Sequence, residues 1–477
     1  MWTIRPRRSA TPSKAASMSA AELAVSARLQ QISVIIIGGG ASGVLMAAHL
    51  LRSQSASFRL TLVERSEAIA EGVAYSTDLP EHVLNVSVKG MSALADDRSH
   101  FERWLGAFSN NKINPASYVA RSLYGLYLAD LLSHLRAIDD GKRFHTVTDE
   151  ALDVTETPTG VEVHLGNGTS LIGHIAILAT GHEARAAQTS AGSSAAGDAQ
   201  LPILIVGTGL SMVDTFLAAA RRKNHPPVIA ISRHGLLPHA HTTAPPIAID
   251  AADIPFGTKL SFLMRWLRVL IAELADQGID WRSVIDGMRP HCQDIWRSWT
   301  PETKRRFLRH ARPWWSIHRH RLAPPIHERL TKAVSNGHLA VQAATIVDVA
   351  DSDGALAVTL RGRKTGEETL LKVARIEDCT GLHFDVTQSR QALLQNLVSR
   401  GAVRGDPLAI GLDVTERCAA IDLDGKPSKR LFAIGPITRG TFLEIEGIPN
   451  IRDQCAAVAA TLSARFAKVE HSTTAES

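Results

Sequence analysis

Along this chain, short apolar runs stop abruptly at glycine and are each followed by residues whose apolar side chains recur at helical spacing. The clearest case is Ile32-Ser33-Val34-Ile35-Ile36-Ile37, which predicts a strand buried on both faces, followed by Val44–Leu51, which predicts a helix. Between them lies Gly38-x-Gly40-x-x-Gly43. A second strand, Phe58–Val63, ends at Glu64, 21 residues past Gly43. Strand, glycine turn, helix, strand and acid arrive in the order that a dinucleotide site requires. Gly38 permits a tight turn, Gly40 lets a pyrophosphate approach the backbone, and Gly43 lets the helix lie close to the strand. The helix N-terminus, with Gly39, Ala41 and Ser42 around it, offers unpaired N–H groups to phosphate. Glu64 is placed for the ribose hydroxyls, with Arg65 beside it.

The rhythm restarts after a stretch of Ala, Ser and Gly. Leu201–Val206 runs into Gly207-Thr208-Gly209-Leu210, a helical pattern covers Thr215–Arg222, and a strand Val228–Ile231 ends in Ser232-Arg233-His234. The third glycine position holds Met212, which predicts a helix lying slightly farther from its strand. Arg233 stands where the first unit has Glu64, and a cation there suits the extra phosphate of NADP. Each unit continues into a meander. The first comprises Leu152–Thr157, Gly160–Leu165, the hairpin signal Gly166-Asn167-Gly168, and a strand ending at Thr180-Gly181. The second comprises Leu339–Val341, Ala355–Leu360 and a strand ending at Thr380-Gly381. A last strand stops at Gly435-Pro436, and a helix opens near Pro449 and runs to about Ala467.

The expected architecture is therefore α/β, with two Rossmann-like, doubly wound dinucleotide-binding domains and a helical insert. Residues 1–31 read as a flexible leader, 32–182 as an FAD-binding domain, 183–200 as a linker, and 201–381 as an NAD(P)-binding domain with the insert at about 250–335. Residues 382–467 return to the FAD-binding domain and 468–477 form a tail. Two such units in one chain imply two nucleotides close enough to exchange a hydride, ordinarily a resident flavin and a visiting nicotinamide. The acidic ribose partner assigns FAD to the first unit, and Arg233 assigns NADPH to the second, with NADH as the alternative donor.

Composition narrows this picture. Lys+Arg number 52 against Asp+Glu 47, a balance that argues against a nucleic-acid partner. No apolar run reaches the 18 or so residues of a membrane span. The four cysteines, Cys292, Cys379, Cys418 and Cys455, form no Cys-x-x-Cys pair, which fits a reducing, cytoplasmic setting and counts against a disulfide reductase. His318-x-His320 lacks the further ligands of a metal site. The insert interleaves Trp266, Trp281, Trp296, Trp299, Trp314 and Trp315 with Lys304, Arg305, Arg306, Arg309, Arg312, Arg319 and Arg321. Most of the tryptophans read as core. Arg319 and Arg321 are candidates to meet an anion, either cofactor phosphate or substrate carboxylate.

The chain resembles the FAD/NAD(P)-binding flavoproteins with two dinucleotide folds that neighbour the flavin-dependent N-hydroxylating monooxygenases. The resemblance rests on the first glycine loop, on Gly72-Val73-Ala74-Tyr75-Ser76-Thr77 with Leu84-Asn85-Val86, and on Phe101-x-x-Trp104-Leu105. It extends through Arg121-x-x-Tyr124-Gly125, Gly207-Thr208-Gly209-Leu210-x-Met212-Val213-Asp214, His318-Arg319-His320-Arg321, and Ala433-Ile434-Gly435-Pro436 with Ile451-Arg452. It implies FAD contacts at the first glycine loop, Glu64 and the Gly435-Pro436 strand end, with Asn85 near the flavin ring and Arg121 among the cofactor contacts. It makes Met212 a family trait. Many other flavoproteins carry Gly-Asp where Gly435-Pro436 stands.

The activity implied is that of an FAD-dependent NAD(P)H oxidoreductase, foremost a monooxygenase: NADPH reduces the flavin, O2 is activated, and a small nucleophilic, amine-bearing substrate receives oxygen. The alternatives are a reductase passing electrons to a partner or quinone, and a non-enzymatic flavin-binding redox sensor.

Overall fold

A computed structural model describes residues 31–473 except 138–140, 182, 184–189, 192–200, 223, 353 and 382–384. The expected leader, most of the linker and the last residues of the tail lie outside the described residues.

Strand β1 (Ile32–Ile37) is parallel to β2 (Phe58–Glu64), which is parallel to β3 (Phe144–Thr148). On its other side β1 pairs with β7 (Ile175–Leu178), and β7 with β16 (Pro427–Ala433). The antiparallel β15 (Ala419–Ile421) closes that edge, giving a six-stranded sheet. Five parallel strands demand cover on both faces, and the alternation of side chains along β1 supplies it. Val34 and Ile36 face the helices Ala41–Leu51, Arg121–Ala137 and Ile448–Thr473. Ile35 and Ile37 face a three-stranded meander of β4 (Ala151–Glu156), β5 (Val161–Leu165) and β6 (Ser170–Gly173), together with helix Ala392–Ser399. Nine of the eleven residues of Ala41–Leu51 are buried, so this helix is apolar nearly all round.

The second sheet repeats the plan. Its strands β9 (Ile203–Val206), β10 (Val228–Ser232), β11 (Leu339–Ser352) and β14 (Arg375–Asp378) run parallel in the order 11-10-9-14. The short β8 (Ser190–Ala191) pairs antiparallel with β14. Here the meander is not a separate sheet. β11 pairs with β10 through Ala343 and then, from Ala344, becomes the first strand of an antiparallel arm with β12 (Ala355–Gly362) and β13 (Glu368–Val373). The sequence reading stops this strand at Val341. Beyond it the pattern weakens because the run Val347–Ala350, with Asp348 inside it, is solvent-exposed.

The stretch 250–335 is helical as its pattern predicts, but it divides by what it packs on. The helices Leu260–Ala275, Trp281–Met288 and Cys292–Ser298 and the helical segment Phe307–Ala311 enclose their own core around Trp296, Trp299 and Phe307, together with Leu443 from the segment before the last helix. Helix Pro324–Ser335 instead buries Ile326 and Leu330 against β9, β10 and β11. It is the crossover that parallel strands β10 and β11 require, and the other helices interrupt that crossover. Gly72–Tyr75, expected as loop, forms a single helical turn.

Candidate functional site: two glycine turns in one chain

The first glycine turn lies at the C-terminal end of the first sheet. Gly38 has φ +110°, and a Cβ there would come within 2.4 Å of the Ala179 carbonyl oxygen. A Cβ on Gly43 would sit 1.9 Å from the Gly38 carbonyl oxygen, so only glycine lets the helix pack this close to the strand. Gly40 differs: the nearest atom to a Cβ there is the Gly72 Cα at 3.8 Å, and the space beyond is open. Gly40 caps helix Ala41–Leu51 without a side-chain hydrogen bond, leaving the N–H groups of Ala41 and Ser42 to face that space. Glu64 accepts from the N–H of Gly39 at 2.7 Å and of Ser66 at 3.2 Å, one bond per oxygen, so each oxygen keeps a lone pair.

These groups surround a cleft of about 1180 Å³ that opens to solvent. Gly38, Gly40, Ala41, Ser42, Glu64, Arg65, Thr180, Gly181 and Pro436 line it, as do residues that sequence reasoning did not assign: Glu71, Tyr75, Asp149, Glu150, Gln391 and Glu446. Gly435, at φ +74°, packs on Ser42, where a Cβ would be 2.4 Å from the hydroxyl. Its N–H donates to Gln454 Oε1 (2.7 Å), Gln454 Nε2 donates to Thr438 Oγ1 (3.0 Å), and Thr438 Oγ1 donates back to the Gly435 carbonyl (2.8 Å). Gln454 therefore holds the strand end in place. Its signal in the sequence was a lone amide ahead of the apolar run Cys455–Ala460.

The second turn follows the same logic. Gly207 has φ +116°, and a Cβ there would meet the Cys379 carbonyl oxygen at 2.3 Å, as Gly38 meets Ala179. Gly209 caps helix Leu210–Ala219 without a side-chain bond and has nothing within 4 Å of a Cβ, and Gly381 is equally open. Met212, at the third position, is fully buried.

Strand register corrects one assignment. Ile37 pairs with Val63, so Glu64 is the next residue; Val206 pairs with Ile231, so the residue equivalent to Glu64 is Ser232, not Arg233. Ser232 accepts from Thr208 Oγ1 at 3.0 Å, just as Glu64 accepts from Gly39. Arg233 is the counterpart of Arg65. The second unit thus lacks the acid and keeps an exposed cation one residue later.

Five other candidates lie away from the first cleft. Asn85, Arg121 and Leu210 line a small cavity between the two sheets. Arg121 Nη1 pairs with Asp214 at 2.8 Å and its Nε donates to the Val83 carbonyl, while the Asn85 carbonyl accepts from His241 Nε2 at 3.0 Å. Arg121 thus pins one unit to the other. Both partners of the ion pair are 24% exposed, so a double-mutant cycle of Arg121→Ala and Asp214→Ala is expected to show about 1–2 kcal/mol of coupling in urea unfolding. Arg319 and Arg321 meet anions of the chain itself: Arg319 pairs with Glu444 at 2.9 Å and Arg321 with Asp286 at 2.5 Å, and all but Asp286 are largely buried. Burial alone would raise the Glu444 pKa, but Arg319, His320 and the Trp315 indole hold it below the usual carboxylate value.

His241 titrates far from its ordinary 6.5. Burial, then the nearby Arg321 charge, push it down to about 4, against the Asn85 carbonyl and Asp286, which raise it. Below pH 6.5 the unfolded chain takes this proton and the folded chain does not until about pH 4. Stability should therefore fall as pH drops through that window. The urea midpoint measured from pH 7 to pH 4 is expected to slope less steeply in His241→Gln than in the wild type.

Residues 35–183 match the model of a family described as FAD-NAD(P)-binding. The N-terminal unit is an FAD/NAD(P)-binding domain. No curated protein matches the chain. Among solved structures, it is similar to the L-lysine 6-monooxygenase of Pseudomonas syringae (13% identity, 91% of this chain and 100% of that one, TM-score 0.60). It is similar also to the ornithine N-hydroxylase of Kutzneria sp. 744 (15%, 91% and 99%, TM-score 0.58) and to the bacillithiol disulfide reductase of Bacillus cereus (15%, 91% and 100%, TM-score 0.52). At these identities the likeness establishes the fold: the chain has the architecture of FAD/NAD(P)-binding flavoproteins. No described helix is long and apolar enough to cross a membrane.

Proposed function

We propose that this protein is an FAD-dependent oxidoreductase that takes hydride from NADPH and uses O2 to oxygenate a small, amine-bearing substrate. The observation that carries the nucleotide assignment is the paired geometry of the two turns, with an acid at Glu64 and a neutral hydroxyl at the equivalent Ser232. In this reading residues 32–182 and 382–467 form the FAD-binding domain and 201–381 the NAD(P)-binding domain. The open space at Gly40, the unpaired N–H groups behind it and the spare lone pairs of Glu64 fit a dinucleotide. Gly38, Gly39, Ala41, Ser42 and Gly43 would hold its phosphates, Glu64 and Arg65 its adenosine end, and Thr180, Gly181, Gly435 and Pro436 the opposite end. Gly207, Thr208, Gly209, Leu210 and Gly381 would hold NADPH, with Arg233 on its extra phosphate. Bound flavin supplies the hydride acceptance and oxygen activation that no side-chain constellation here provides. Asn85, which lines the small cavity with Arg121 and Leu210, stays a candidate near the flavin ring.

A monooxygenase is favoured over a disulfide reductase, although both lie among the similar folds. All four cysteines are free, Cys292, Cys418 and Cys455 are buried, and burial raises the pKa of each of the four. None is placed as the exposed thiolate that thiol–disulfide exchange needs.

The test is substrate-stimulated turnover. With the FAD-loaded protein, NADPH consumption, O2 uptake and hydrogen peroxide release are followed across a panel of amines and amino acids. Stimulation by one of them, with its oxygenated product formed and peroxide suppressed, is the expected result. Electrons delivered to a quinone with no oxygenated product would replace this reading by the reductase. Slow turnover that no substrate stimulates would point to the redox sensor, and a protein that takes up no FAD would overturn all three.

A further inference from the structure

The helical insert carries a groove that the nucleotide sites do not use. It opens to solvent between helix Leu260–Ala275 and residues 306–314. Its floor is apolar, with Leu260, Met264, Val269, Ala272 and Trp314, and Val269 and Trp314 are 49% and 46% exposed. Large apolar side chains so exposed in a concave setting mark a surface that is covered by something.

The rim identifies what covers it. Arg265, Arg268 and Arg306 line the groove and no carboxylate does. Elsewhere on the insert, five arginines pair with acids within the chain: Arg282 with Asp280, Arg297 with Asp294, Arg305 with Glu302, Arg319 with Glu444 and Arg321 with Asp286. The three rim arginines form no ion pair among the described residues. A lone phosphate would leave the apolar floor uncovered, and a flat lipid surface does not reach the floor of a groove. From Leu260 to Ala272 the groove follows the helix for about 18 Å, or three turns. That length suits a second helix laid in by an apolar stripe, with carboxylates on its flanks meeting the arginines. A second copy of this chain does not supply one, because no described α-helix carries more than two carboxylates.

We propose that this groove docks an acidic, amphipathic helix of a partner protein. The assignment is independent of the flavin reading. Trp314 also lies against His234, with ring centroids 5.8 Å apart, one residue beyond Arg233. A docked partner would therefore sit beside the entrance of the second nucleotide unit.

The test uses the full-length protein and a labelled 18-residue peptide with leucines at i, i+3, i+4 and i+7 and glutamates on its flanks. Saturable binding by fluorescence anisotropy is expected, weakening with added salt and by at least about tenfold in Arg265→Glu/Arg268→Glu. A scrambled peptide of the same composition should bind at least about tenfold more weakly, since it keeps the charge and loses the stripe. Circular dichroism of the double variant checks that it is folded, and Trp314→Ala provides a charge-neutral second probe of the floor. No saturable binding, equal binding of the scrambled peptide, or binding that survives both substitutions would each overturn the proposal. Retention on phosphatidylglycerol vesicles through the same arginines, with no peptide binding, would replace it with a membrane surface.

Discussion

Gly40→Ala is expected to give a folded protein that no longer retains FAD. A Cβ at this position meets nothing nearer than 3.8 Å, so the apoprotein has room for it. It would project, however, into the space across which the pyrophosphate must approach the backbone. Losing one or two charge-assisted N–H bonds to phosphate, each about 1.5–3 kcal/mol, lowers FAD affinity by roughly two orders of magnitude. Gly43→Ala makes the contrast. Its Cβ would lie 1.9 Å from a backbone oxygen, so the turn itself must move and the fold should suffer along with the cofactor. The flavin-to-protein absorbance ratio after purification, an FAD titration and a thermal melt separate the two effects. Equal FAD retention by Gly40→Ala and wild type would remove the first glycine turn from the cofactor site.

The second large effect is a change of nicotinamide donor. Ser232→Glu combined with Arg233→Ala should turn a protein that prefers NADPH into one that prefers NADH. The introduced carboxylate would occupy the position that Glu64 holds in the first unit, where it can accept from ribose hydroxyls and repel a 2′-phosphate. At about 4 Å two unit charges near a protein surface interact by roughly 4 kcal/mol, and solvent exposure reduces this to about 2–3. That corresponds to a roughly 30- to 150-fold loss in kcat/KM for NADPH. Steady-state kinetics with both donors checks it, and FAD content should not change because the substitutions lie in the other unit. An unaltered donor ratio would mean that the Ser232–His234 end does not meet the adenosine phosphate.

Both glycine turns were legible in the sequence because close backbone packing is a hard constraint: a Cβ at Gly38 or Gly207 would overlap a carbonyl oxygen, so only glycine serves there. The parallel strands were legible because burial on both faces leaves unbroken apolar runs such as Val34–Ile37. Charged residues were less legible, since a charge carries no periodic signature of its partner. Arg121, Arg319 and Arg321 suggested ligand contacts, and each is taken up by a carboxylate 93, 125 or 35 residues away in sequence, Asp214, Glu444 and Asp286.

The sequence by itself determined the α/β class, the two dinucleotide units and the glycine positions that allow phosphates close to the backbone. These follow from local spacing and sterics, which a linear pattern records. Only the tertiary structure decided that Ser232 and not Arg233 is the counterpart of Glu64, because strand register is set by pairing between segments. It also decided that Gln454 braces the Gly435 turn and that Arg265, Arg268 and Arg306 share one groove without an ion pair among the described residues. Ion pairs and hydrogen bonds of long sequence separation exist only once the chain has closed around them, so their physical cause lies in packing, beyond the reach of local pattern.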